Sequence, residues 1–139
     1  MPKPSQILIV DDDLGIRSTL QEILRYHGYG TQLAADGREA YDLLIKGYRP
    51  DLIFLDLMMP IMNGWEFLEK QQADSQIRLI PTVVVTAVGN SDLPPPSVRL
   101  LRKPFGLAEV LSTVREFCSD GDAKVRPAET LPGPKGVGP

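Results

Sequence analysis

Five side chains in this sequence could share one piece of chemistry. Asp11 and Asp12 follow the apolar run "QILIV", and Asp56 closes "LIFL". Thr86 stands at the end of "TVVV", and Lys103 comes just after "VRLL". Together they offer three carboxylates, a hydroxyl and an ammonium. Two like charges ~4 Å apart repel by about 4 kcal/mol at an effective dielectric of ~20. Three carboxylates in one cleft therefore require cations. Lys103 supplies one positive charge, and oxygen-only ligands with open water positions suit Mg2+. Asp56 can then act as a nucleophile that accepts a phosphoryl group. Thr86 can donate a hydrogen bond to one phosphoryl oxygen while Lys103 pairs with another, which is the positioning and charge stabilisation that phosphoryl transfer needs.

Taken singly, each residue has a plainer role. A run such as Asp11-Asp12-Asp13 caps helices or sits in solvated turns, Asp56 could be a cap, and Thr86 and Lys103 could be ordinary strand and surface residues. The argument for chemistry is that each group comes directly after a separate apolar run.

The elements that position them follow from periodicity. "QILIV" (Gln6–Val10), a weaker run at Gly30–Ala34, Leu52–Leu55, "TVVVTA" after Pro81 and "VRLL" (Val98–Leu101) read as five strands. Between them, Ile16, Leu20, Ile23 and Leu24 share one helical face, which Gly28 ends. Asp36 caps a helix carrying Ala40, Leu43 and Leu44, which Gly47 ends. Asn63-Gly64 starts a helix with Trp65 and Leu68 inward and Phe67 as packing, and Trp65 is partly exposed near the site. The last helix carries Leu107, Val110, Leu111, Val114 and Phe117 on one side. This alternation predicts an α/β doubly wound parallel sheet with helices on both faces. In such a sheet the strand carboxyl ends lie on one edge, where ligands bind.

The 139 residues suggest one domain, over residues 5–118. Residues 119–139 are rich in proline and glycine and read as a disordered tail. A net charge of −3 gives no case for a nucleic-acid or anionic-membrane partner. Arg99, Arg102 and Lys103 are too few to form a nucleic-acid footprint. Cys118 is the single cysteine, which excludes an intrachain disulfide. No apolar run is long enough to span a membrane and no signal peptide is evident, so a cytoplasmic location is expected. His27, at the end of the first helix, reads as a helix-terminal or surface side chain rather than a phosphohistidine.

The motifs "ILIVDDD", "AADGREA", "PDLIFLDLMMPIMNGWEFL", "IPTVVVTA" and "LRKPFG" resemble those of the response-regulator receiver domains of two-component signalling, the CheY-like family. The resemblance covers roughly residues 5–118. It implies a flavodoxin-like receiver fold, with five strands in the order 2-1-3-4-5. It also implies that Asp56 is the phospho-acceptor, that Thr86 is the switch hydroxyl and that Lys103 contacts the phosphate. Mg2+ would be held by Asp11, Asp12 (the more direct ligand), Asp56 and the Met58 carbonyl, and the Lys103–Pro104 bond would be cis. The implied partners are a sensor histidine kinase or phosphotransfer protein and a downstream protein. The implied activity is that of a signalling domain rather than an enzyme, assisting only its own phosphorylation and dephosphorylation.

Two stretches depart from the family pattern. Pro94–Pro96 cannot lie inside a helix, so the helix between the fourth and fifth strands should be shortened or missing. Leu100 stands where an aromatic switch residue is usual and should stay in the core. These departures motivate an alternative, a docking module on the receiver fold that makes little use of phosphorylation. A phosphatase with an aspartyl-phosphate intermediate fits poorly, because Met58 stands where such enzymes place a second carboxylate.

Overall fold

The computed structural model describes residues 4–87 and 99–118. Five strands, β1 (Gln6–Val10), β2 (Gly30–Ala34), β3 (Leu52–Asp56), β4 (Thr82–Thr86) and β5 (Arg99–Arg102), form one parallel sheet in the order β2-β1-β3-β4-β5. Among the described residues there are four helices: α1 (Leu14–Tyr26), α2 (Gly37–Ile45), α3 (Gly64–Gln72) and α4 (Leu107–Phe117). The expected shortening or loss of a helix between β4 and β5 falls on residues 88–98, outside the described residues, as does the expected tail at 119–139.

The strands are continuous apolar runs because each of their faces is covered. Leu8, Val10, Ile53, Leu55 and Val84 enter one core with Ala40 and Leu44 of α2 and Phe67 and Leu68 of α3. The alternate residues Ile7, Ile9, Leu52, Phe54, Val83 and Val85 enter a second core with Leu20 and Leu24 of α1 and Val110 and Val114 of α4. The two-residue period of the strands thus builds a three-layer sandwich from one sheet.

Two details differ from the sequence reading. β5 extends to Arg102, one residue past the expected run. Leu107 is exposed, because it occupies the first turn of α4, ahead of the stretch that reaches the sheet. Trp65 is half-buried against the α2–α3 core, in line with its expected partial exposure. Leu100 is also half-buried against that core. His27 caps the carboxyl end of α1, with Nδ1 3.0 Å from the Ile23 carbonyl.

Gln71 locks the α3–β4 connection. Fully buried, it donates from Nε2 to the Ile77 and Ile80 carbonyls, both at 3.0 Å, and accepts from the Thr82 hydroxyl at 3.3 Å. Gln71→Leu leaves these groups buried and unpaired, at about 1–3 kcal/mol for each lost partner. The melting temperature should fall by about 10 °C in a thermal scan.

Candidate functional site

The register of the sheet assembles the site. Val10 pairs with Leu55, so Asp11 and Asp56 emerge side by side. Asp56 pairs with Val85, and Thr86 pairs with Arg102. The ladder continues past the strand ends: Asp11 N–H donates to the Ala34 carbonyl at 3.1 Å, and Lys103 N–H to the Thr86 carbonyl at 3.0 Å. Asp11, Asp56, Thr86 and Lys103 are therefore fixed by backbone pairing, while Asp12 lies in the loop after β1. The Lys103–Pro104 peptide bond is cis.

Asp11, Asp12 and Asp56 each offer a carboxylate oxygen, and these oxygens lie within 4.8 Å of one another. Asp11 and Asp56 are buried and Asp12 is exposed. The Lys103 ammonium reaches across β4 to lie 2.9 Å from Asp11 Oδ2 and 3.6 Å from Asp56 Oδ1. Thr86 is buried at the same edge. The structure thus brings together Asp11, Asp12, Asp56 and Lys103, with Thr86 next to them at the end of β4. Met58 follows on the β3–α3 loop with its side chain exposed, and its backbone N–H donates to the Asp56 carboxylate.

The triplet Asp11-Asp12-Asp13 divides its duties. Asp13 is the N-cap of α1, accepting from Ile16 N–H at 3.1 Å. Asp11 turns inward and accepts from Asp13 N–H at 2.9 Å, leaving Asp12 at the mouth of the cleft. Arg17, not among the candidate site residues above, donates from Nη1 to the Asp11 carbonyl at 2.7 Å and ties this loop to α1. Its place one turn into the helix, on the side of the acidic loop, is the only sequence signal that could have found it.

The electrostatics follow from burial. Asp56 is pushed up from 3.8 to about 6, first by burial and then by the Asp11 carboxylate, with Asp12 adding to the rise. Lys103 and the Met58 N–H oppose that shift. Burial disfavours the charge on Lys103, but Asp11 and Asp56 outweigh it and raise its pKa. Among the described residues one ammonium faces three carboxylates, which leaves an excess of negative charge there. The hard oxygen donors, two buried and one open to solvent, fit a small divalent cation that retains water.

Comparison with known proteins agrees with this geometry. The sequence matches the response regulator receiver domain family over residues 7–115. It is 39% identical over 118 residues to sporulation initiation phosphotransferase F of Bacillus subtilis (strain 168), covering 81% of this chain and 92% of that protein. It is 38% identical over 117 residues to response regulator MprA of Mycolicibacterium vanbaalenii, covering 81% of this chain but only 49% of that protein, so the chain spans about half of that relative's length. Among solved structures, the receiver domain of the sensor histidine kinase PA1611 from Pseudomonas aeruginosa PAO1, which has a magnesium ion coordinated in its active-site cleft, superposes with a TM-score of 0.77. The match is 26% identical and covers 84% of this chain and 98% of that one. With the strand order, the acidic edge and the matched span all in agreement, the chain belongs to the response regulator receiver domain family.

Proposed function

We propose that this chain is a phospho-acceptor in a two-component phosphorelay, taking its phosphoryl group onto Asp56 from a phosphohistidine of a sensor histidine kinase or phosphotransfer protein. The observation that carries the proposal is the convergence of three carboxylates within 4.8 Å of one another, with one lysine 2.9 Å from Asp11. Asp11, Asp12, Asp56 and the Met58 carbonyl would hold Mg2+, which when bound supplies charge neutralisation and orientation for the incoming phosphoryl oxygens. An Asp56 oxygen attacks phosphorus, the P–N bond to the donor imidazole breaks, and the imidazole leaves with the bonding pair. Lys103 steadies one phosphoryl oxygen and Thr86 donates to another. The new charge and acceptor oxygens at the sheet edge then alter the surface presented to a downstream protein. Coupling of this kind is typically worth ~1–3 kcal/mol. No helix among the described residues is long and apolar enough to cross a membrane.

One observation favours a docking module that makes little use of phosphorylation. Leu100 packs half-buried on the α2–α3 core and has no polar tip or ring to move toward solvent. Incubation with acetyl phosphate, followed by intact mass measurement, separates the two readings. The phospho-acceptor reading expects one added phosphoryl group with Mg2+ and none with EDTA. A folded protein of unchanged mass in both would support the docking module.

A further inference from the structure

The β3–α3 loop, residues 57–63, connects Asp56 to α3 and carries Met58. It has little slack. Its base is closed by Gly64 N–H donating to the Leu57 carbonyl at 3.0 Å. A Cβ on Gly64 would stand 2.5 Å from the Asp56 carbonyl oxygen, so the two ends of the loop are in backbone contact. Leu57, Met59 and Met62 are buried in the α2–α3 core, while Met58, Pro60 and Ile61 face solvent. The chain returns inward through a three-residue turn. Met62 N–H donates to the Pro60 carbonyl at 2.7 Å, and Ile61 sits at φ 69°. For a β-branched residue this is a strained backbone conformation, held in place by its surroundings.

The far side of the loop rests on another element. Gly37, the first residue of α2, is buried and donates its N–H to the Met62 carbonyl at 2.9 Å. A Cβ on Gly37 would lie 2.6 Å from that same carbonyl oxygen, 3.0 Å from Met62 Cγ and 3.2 Å from the Asn63 carbonyl oxygen. Two of these three neighbours are backbone atoms, so a side chain here displaces the loop or the helix. Asp36 caps α2, accepting from Glu39 N–H at 2.9 Å, and Ala40 and Leu44 anchor the helix in the core. With the base of the loop closed and its turn already strained, a push at Met62 is relieved toward Met58.

We infer that Gly37 is a positioning residue for the metal corner of the site: its missing Cβ lets α2 seat the loop so that Met58 and Asp56 face the acidic pair. The inference rests on the proposed Mg2+ site. It places a determinant of metal affinity on a helix that contributes no side chain to the cleft.

The test is a Mg2+ titration followed by Trp65 fluorescence on the full chain. It compares the wild type with Gly37→Ala, Leu44→Ala and Asp12→Asn, with thermal melts of each. Leu44→Ala destabilises α2 from its buried face and leaves the Gly37–Met62 backbone contact unchanged. Gly37→Ala should bind Mg2+ about tenfold more weakly or worse, the scale typical of lost support around metal ligands. Leu44→Ala should keep the wild-type affinity although its melting temperature falls by as much or more. Gly37→Ala binding like the wild type, or Leu44→Ala weakening equally, would overturn the positioning role while leaving the metal site in place. A wild type that responds no more than Asp12→Asn overturns the Mg2+ reading and this inference with it. If Gly37→Ala does not fold alone, Gly37→Ala in Met62→Ala, which removes the Cγ contact but keeps the two backbone ones, must still show weakened binding relative to Met62→Ala alone. Equal binding of that pair overturns the inference.

Discussion

Asp56→Asn should abolish phosphorylation by acetyl phosphate and, in metal-free buffer at neutral pH, raise the melting temperature. The first outcome follows because an amide oxygen is a poor nucleophile and cannot form the acyl phosphate. The second follows from burial. The carboxyl titrates near 3.8 in the unfolded chain and near 6 in the folded one, chiefly because it is buried and secondarily because Asp11 lies beside it. Between those two values the native chain binds a proton that the unfolded chain does not. Stability therefore falls as pH rises through that window, and above about 6 the full penalty applies. The penalty is on the order of 3 kcal/mol, and an amide removes it, raising the melting temperature by several degrees. A wild-type melting temperature that climbs as pH falls from 7 toward 5, beside a flatter profile for the variant, checks the assignment by differential scanning calorimetry. A variant that unfolds would show that the Asp56 carboxylate is structural. The same proton competes with a cation, so Mg2+ affinity should drop as pH falls below about 6.

Lys103→Ala carries the second large effect. The ammonium lies 2.9 Å from Asp11 and 3.6 Å from Asp56, with its side chain largely shielded from solvent. Its removal leaves two buried carboxylates facing each other without a cation. Because Lys103 is one of the influences holding the Asp56 pKa down, that pKa should rise further in the variant. The rate of phosphorylation by acetyl phosphate should fall about 100-fold, the scale of losing one charge-stabilising donor in a transition state. Stability should fall in EDTA, since breaking a buried ion pair typically costs about 3–5 kcal/mol, and recover in large part with Mg2+, which restores positive charge. Stopped-flow rates and paired melts with and without Mg2+ measure both. A rate within a fewfold of wild type would remove Lys103 from the phosphoryl site.

The alternation of elements and the groups at the strand ends were readable in the sequence for one physical reason. Strands covered on both faces are unbroken apolar runs, so a charge directly after such a run marks where the chain leaves the core. Asp11 and Asp56 carry that signature, while Thr86 is the polar end of its run and Lys103 stands one residue further on, after Arg102. The division of labour inside Asp11-Asp12-Asp13 was not readable, because one-dimensional spacing does not say which carboxylate turns inward and which caps α1. The exposure of Leu107 depends on how α4 is rotated against the sheet. Periodicity alone fixes that rotation only to within a residue. The contact between Gly37 and Met62 joins residues 25 positions apart and leaves no local pattern at all. Gly37 looked like an ordinary first residue of a capped helix.

The register that sets Asp11 beside Asp56 has an evolutionary corollary. Side chains alternate between the two layers of helices, so adding or deleting one residue within β1 or β3 would swing a carboxylate to the opposite layer rather than nudge it along the edge. Descendants of this chain can lengthen or shorten their connectors by small steps, but the central strands tolerate only substitutions, and the spacing from Val10 to Leu55 in space acts as a fixed gauge for the chemistry.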